Sequence, residues 1–171
     1  LLGSFDCKVI ANKEAEATLS GAISAEGATA QQLYYAVYSQ VTLGIKVDSA
    51  KVMAALDEAL KADDSALSHG FAFHAASYLK GDLNKYYDLI EDVIAQADEV
   101  DEKYLQFEGG LYTTAIVIDG AYKLATTVKK APALEEDKVM KFVNYFLSRK
   151  HVQSLKNAAT ILSVVKTFTD N

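Results

Sequence analysis

The sequence predicts an all-α fold, an α/α superhelix of about eight antiparallel helices stacked as hairpins. Three observations carry this prediction. The 171 residues include one Pro and nine Gly, too few punctuators for a many-turned β-sandwich, while the good helix formers Ala, Leu, Lys and Glu dominate. Every long segment repeats its apolar residues at a helical period, and none sustains the alternation of a strand. Half of the residues are hydrophobic, as one compact domain or the middle of a larger one requires.

Taken in order, a first and weaker helix covers 13–24. Thr29 and Gln32 stand at capping-box spacing and open a second, whose face is Leu33, Val37 and Val41 and which closes near Gly44. Asp48 or Ser49 caps a third with the stripe Met53, Leu56 and Leu60. Asp64 or Ser65 caps a fourth with Leu67, Phe71 and Tyr78, ended by Gly81. After Asp82 comes a fifth with Tyr86, Leu89, Ile90, Val93, Ile94 and Ala97, followed by the acidic stretch 98–102, which reads as a solvated connection. Segment 111–128 is apolar almost all the way round, through Ile116, Val117, Ile118, Tyr122 and Leu124. Such a helix belongs at the centre and should be the most buried of the set.

Pro132 stands as a first-turn proline. Glu135, Glu136 and Asp137 follow it, and Arg149, Lys150 and His151 close the same segment, so the charges complement the helix dipole at both ends. Val139, Phe142, Val143 and Phe146 form its buried face, and a last helix turns Leu155, Ala158, Ala159, Leu162 and Val165 inward. Short links force antiparallel neighbours, and helix-turn-helix units recur at roughly 36 to 44 residues, near the spacing of helical-repeat proteins. Their self-similarity is poor, which favours an irregular superhelix over a closed four-helix bundle or a strict tetratricopeptide array.

Composition excludes several functions. Lys and Arg number 17 against 23 for Asp and Glu, a net charge of −6, and without a local basic stripe the chain is no nucleic-acid binder. The longest uncharged stretch, 27–45, carries Gln31, Gln32, Ser39, Gln40 and Thr42 and is too polar to span a bilayer. The solitary Cys7 removes an internal disulfide framework and a zinc site built from thiolates. The chain opens Leu1-Leu2-Gly3 with no initiator Met and no basic n-region, which reads as an excised piece whose signal peptide is absent or already removed.

No catalytic residue, cofactor site or metal site is expected. His69 and His74, at i,i+5, point about 140° apart on a helix, and with His151 they offer no i,i+4 ligand pair. Val100 and Lys103 interrupt the acidic run, and Gly109-Gly110 comes too late for a calcium loop. That glycine pair also lacks the strand, third Gly and Lys of a phosphate-cradling loop. The tyrosines Tyr34, Tyr35, Tyr38, Tyr86 and Tyr87 read as packing with one wet end, since no Arg or Lys interleaves them. Asn12, Asn84, Asn144 and Asn157 all fail the glycan-acceptor pattern.

The run Tyr104, Leu105, Gln106, Phe107, Glu108, Gly109, Gly110, Leu111, Tyr112, Thr113, Thr114 and Ala115, followed by Tyr122-Lys123-Leu124, resembles the lumenal N-terminal region of the ribophorin II family. The similarity continues through Glu136-Asp137-Lys138-Val139 and Phe146-Leu147-Ser148-Arg149-Lys150, and backwards through Ile90-Glu91-Asp92 to about Asn12. It departs at Gly109, where the family pattern leads one to expect an acidic residue. The resemblance implies a non-catalytic subunit of the oligosaccharyltransferase complex, which moves a preassembled glycan from a dolichol-diphosphate carrier to Asn of nascent chains. It further implies residues 1–171 as a single helical domain within a larger lumenal region, in the endoplasmic reticulum lumen, of a membrane-anchored parent.

The partners implied are other subunits of that complex, with translocating polypeptide as a further contact, and this piece is not itself membrane-inserted. Catalysis in the family belongs to a different subunit, so no catalytic residue transfers by resemblance. The lumenal setting would place the disulfide partner of Cys7 upstream of Leu1. Two alternatives stand beside this scaffold reading: an α/α-toroid enzyme, which would gather two carboxylates from different helices in one apolar pocket, and a glycan-binding module, which would expose tyrosines at the mouth of a groove.

Overall fold

The computed structural model describes residues 12–151 and 154–170. Eight helices and one short hairpin follow in chain order: α1 Lys13–Ile23, α2 Ala30–Leu43, α3 Ser49–Ala62, α4 Ala66–Ala76, α5 Asn84–Ile94, β1 Asp98–Val100, β2 Tyr104–Gln106, α6 Gly110–Val128, α7 Glu136–Ser148 and α8 Leu155–Asp170. Cys7 and the expectation attached to it lie outside the described residues.

Local chemistry sets several boundaries where the sequence places them. Thr29 Oγ1 accepts from the Gln32 N–H while Gln32 Oε1 accepts from the Thr29 N–H, closing the capping box at the start of α2. Gly44 ends that helix in the left-handed region at φ 71°. Asp48 and Ser65 cap α3 and α4 through their side chains.

Other boundaries move. α4 stops at Ala76 rather than running to Gly81, because the Ser77 hydroxyl donates to the His74 carbonyl and the N–H groups of Tyr78 and Leu79 turn back to Ala75 and Ala76 in three-residue steps. Pro132 does not open α7, which begins four residues later with Glu135 as its N-cap. The carbonyl of Ala131 accepts from the Tyr87 hydroxyl at 2.7 Å, tying the preceding connection to α5. Glu136 and Asp137 do occupy the first turn, but no basic residue lies in the last. The stretch 98–102 is exposed as expected, yet it is no plain connection. Asp98, Glu99 and Val100 pair antiparallel with Gln106, Leu105 and Tyr104. Asp101 and Glu102, both at positive φ, make the tight turn between the strands.

Two layers stack along the chain. In one, α2 packs on α4, α4 on α6 and α6 on α8, and α1, α3 and α5 of the other each touch the even-numbered neighbours that flank them. This is the contact pattern of an α/α superhelix. α7 departs from it by packing on β2, where Phe142 stacks against Phe107 at 5.9 Å between ring centres.

α6 is central, but α4 is more completely enclosed. Nine of its eleven residues, 68–76, are buried, against eleven of nineteen in α6. The reason is the close crossing of the two backbones at a glycine pair. A Cβ on Gly120 would lie 2.7 Å from the Gly70 carbonyl, and one on Gly70 would lie 3.0 Å from the Val117 N–H nitrogen. Glycine at both positions lets α4 sink between α2 and α6, a placement that helical periodicity alone does not specify.

Candidate interaction site

The run of residues 104–115 forms a joint between the hairpin and α6. Leu105 and Phe107 are buried, Tyr104 and Gln106 are half-buried, and Glu108 is exposed. The Phe107 N–H donates to Thr114 Oγ1 at 3.0 Å, and that hydroxyl donates in turn to the Gly110 carbonyl at 2.9 Å. Thr113 and Thr114 are both buried. Gly109 precedes α6 at φ 89°, with its α-carbon so close to Thr113 Oγ1 that a Cβ would collide with the hydroxyl. The missing acidic residue at this position therefore has a local reason: a side chain there meets both a left-handed backbone and a buried threonine.

Beside this joint, Gln106, Gly110, Leu111, Tyr145, Arg149 and His151 line a cavity of about 440 Å³. A second concavity, about 630 Å³, lies between the α1–α2 turn and α3 under Ala54, Ala55, Ala59 and Ala62. Its carboxylates are Glu26, Glu58 and Asp63. Glu58 pairs with Lys61 at 2.7 Å. The Ser68 hydroxyl, together with the Ser65 N–H and hydroxyl, holds the Asp63 carboxyl below the usual range, opposite to what a proton donor needs.

The tyrosines of α2 pack as a cluster. The Tyr34 ring centre is 5.2 Å from Tyr35, 5.8 Å from Phe71 and 5.1 Å from His74, while Tyr38 meets Tyr78 edge-on. Burial pushes the Tyr34 hydroxyl well above its ordinary value, and neighbouring tyrosines add to the shift. Of these rings only Tyr35 is exposed.

Below them lies a buried ionic knot that the sequence does not announce. Asp119 accepts from Lys123 Nζ at 3.0 Å, from Ser163 Oγ at 3.0 Å and from Thr167 Oγ1 at 2.5 Å. Burial raises its pKa, but the Thr167 hydroxyl, Lys123 and His74 outweigh that and hold it below the usual range. His74 Nε2 stands 3.9 Å from the same carboxylate, and neither ring nitrogen makes a hydrogen bond of proper geometry. Burial, then Lys123, lower the imidazole to about 4 against the opposing pull of Asp119 and the Ile116 backbone, so His74 is neutral at pH 7.

That knot turns α8 over. The sequence directs Leu155, Leu162 and Val165 inward; instead they face out, at 88, 69 and 44 % exposure, and Ala159 is exposed with them. The buried face carries Val164 with the half-buried Thr167 and Phe168, the last edge-on to Tyr122 at 5.6 Å. A buried carboxylate needs its acceptor positions filled; Lys123 of the same helix supplies one donor, and the Ser163 and Thr167 side of α8 supplies the others. Met140 and Leu147 of α7 are exposed as well. On α7 the inward residues are Phe142, Tyr145 and Phe146, so Tyr145 joins the expected face while Val139 and Val143 are only half-buried.

The same region differs in charge. No acidic residue occurs between Asp137 and Asp170, whereas Lys138, Lys141, Arg149, Lys150, Lys156 and Lys166 fall there. A local basic run is thus present after all, although part of it is already engaged. Lys141 pairs with Glu99 and Asp137, Lys166 pairs with Asp170, and Lys156 sits over the Tyr112 ring.

Among the described residues, no group of three or more His, Cys, Asp or Glu could hold a metal ion, and no helix is long and apolar enough to cross a membrane. Fold and surface together define an all-α protein of the two-layer α/α superhelix class, with an outward apolar face on α8. The family model of the ribophorin II N-terminal domain matches residues 1–169, and the chain belongs to that family. Its membership associates it with the oligosaccharyltransferase.

Proposed function

We propose that this chain is a non-catalytic, lumenal part of the oligosaccharyltransferase complex, one domain of a larger lumenal region, and that it serves as a helical scaffold through its α7–α8 face. The observation that carries this reading is the inverted α8, with Leu155, Leu162 and Val165 in water beside an acid-free, basic stretch. Covering each exposed leucine on association would contribute on the order of 2 kcal/mol, and interfaces draw most of their affinity from a few such anchors. The cations favour a partner with acidic residues around an apolar centre. Other subunits are the preferred partners, with translocating polypeptide as the second reading. The parent is membrane-anchored and lies in the endoplasmic reticulum.

The toroid-enzyme reading is less well supported, since in the alanine-lined groove Glu58 is paired with Lys61 and the Asp63 carboxyl is held below its usual range. The glycan-module reading meets a tyrosine cluster that is mostly packed. A photo-crosslinking residue placed at Leu155 or Leu162 in the assembled complex tests the scaffold. Adducts to lumenal segments of other subunits are expected. Adducts to translocating polypeptide alone would transfer the proposal to nascent chains, and glycan transfer by the purified chain, after controls for contaminating transferase, would overturn it.

A further inference from the structure

We propose that the cavity at the N-terminus of α6 binds a phosphoryl group. Four pieces of the chain converge there: Gln106 from β2, Gly110 and Leu111 from the start of α6, Tyr145 and Arg149 from α7 and its C-cap, and Asn157 from α8. α6 is nineteen residues long, and its N-cap is Gly109, which has no side chain to cap it. The Gly110 N–H is taken by the Phe107 carbonyl, and the N–H groups of the following residues, with the positive end of the helix dipole, lie at this end of α6. Oxyanions favour such a position.

Tyr145 supplies the independent observation. Its side chain is 97 % buried, being only 3 % exposed, yet it lines the cavity. Its hydroxyl stands 3.8 Å from where a Gly110 Cβ would be, so it is aimed at the first turn of α6. Among the described residues no hydrogen bond engages that hydroxyl. The hydroxyl is not one of the fully buried atoms without a partner; it is the open end of a buried side chain, and what it opens onto is the cavity. The Arg149 guanidinium lies 5.4 Å from the centre of the same ring and also lines the cavity. The His151 imidazole lines the cavity as well.

The surrounding polar groups do not oppose an anion. No carboxylate lines the cavity among the described residues. The nearest acidic side chain in sequence, Glu108, is exposed. The α7 carbonyls of Phe146 and Leu147, whose partial negative charge would repel an anion, are occupied by the N–H groups of Arg149 and Lys150. The Ser148 hydroxyl is spent on the Tyr145 carbonyl.

Helix N–H groups of α6 stand on one side and a phenol and a guanidinium of α7 and its C-cap on the other, a set of donors of the kind that holds a phosphoryl oxyanion. At about 440 Å³, the space also admits what the phosphoryl group is attached to. Free phosphate, a phosphorylated small molecule and a lipid phosphate share this chemistry.

Titrating the 171-residue chain with inorganic phosphate at constant ionic strength, followed by amide resonances, tests the site. Saturable shifts confined to Leu111, Tyr112, Thr113 and the Tyr145 ring are expected. Tyr145→Phe, which keeps the ring and its packing, should weaken phosphate binding about ten-fold without changing the melting temperature, as loss of a hydrogen bond to a charged group does. Arg149→Gln should weaken it at least as much, and Glu108→Gln should strengthen it. Displacement by glycerol 3-phosphate alone assigns the site to a small molecule. Displacement also by phosphatidic acid vesicles, but not by phosphatidylcholine vesicles, assigns it to a lipid headgroup. The proposal falls if chloride produces the same shifts, or if both Tyr145→Phe and Arg149→Gln bind phosphate as the parent does.

Discussion

At Gly120 the two central helices leave no room for a methyl group. An added Cβ would meet the Gly70 carbonyl at 2.7 Å and His74 Cδ2 at 3.0 Å, and the carbonyl belongs to a backbone that cannot step aside alone. Gly120→Ala should therefore cost about 1–3 kcal/mol in denaturant unfolding, as overpacking does. Gly21→Ala, where nothing lies within 4 Å, should instead be neutral or stabilise by up to about 1 kcal/mol. Equal stability of the two variants would mean that α4 and α6 do not cross at these glycines.

His74 gives a pH prediction of definite sign. Its imidazole takes a proton near 6.5 in the unfolded chain and only near 4 in the folded one, with Lys123 and Asp119 of α6 and Tyr34 of α2 facing it. Between those values the unfolded state binds more protons. Stability is thus complete above 6.5 and is lost as pH falls toward 4, by at most about 3 kcal/mol. Asp119 titrates below its ordinary value and adds loss only at still lower pH. Chemical denaturation across this window should show the slope, and His74→Leu should flatten it.

At the scale of the element, α8 is held by hydroxyls and shows its leucines to solvent. Asp119→Ala leaves the Ser163 and Thr167 hydroxyls without their carboxylate, so about 1–3 kcal/mol of α8 docking should be lost. Hydrogen exchange should report this as faster exchange across 155–170 with α2–α5 unchanged, because local opening follows local contacts. Leu162→Glu, on the exposed side, should stay within about 0.5 kcal/mol of the parent. The opposite ranking would put the leucine stripe inside, as the sequence alone suggests. The joint between β2 and α6 behaves differently, since Phe107 on Phe142 ties it to α7 through buried aromatic surface.

For the molecule as a whole, the stacked layers share one continuous apolar interior that passes through α6, with Ile118 fully buried. Ile118→Asp places a charge there without a partner and should unfold the chain or cost several kcal/mol. An unchanged melting temperature would say that Ile118 faces water. The charge distribution is also a property of the whole: with all 23 acidic residues outside 138–169, one end of the superhelix differs electrostatically from the rest, which orients any partner that reads it.

The sequence by itself determined the helical class, the cap at Thr29 and the stop at Gly44, and it narrowed the next two caps to Asp48 or Ser49 and Asp64 or Ser65, because caps depend on hydrogen bonds between residues three or four apart; the structure chooses Asp48 and Ser65. Its run from Tyr104 to Ala115 was enough to carry the family resemblance. It did not determine where α4 stops, that Pro132 stands outside α7, that 98–106 folds into a hairpin, or that Tyr145 closes a cavity against Gly110. Nor did the apolar stripe of α8 reveal which side it would turn inward. Periodicity reports that a helix has two faces, while the choice between them rests on what stands opposite. Here that is Asp119, 44 and 48 residues from the hydroxyls it binds. Only the tertiary structure decides this: it sets a buried carboxylate, which needs donors at its remaining acceptor positions, against the Ser163 and Thr167 side of α8.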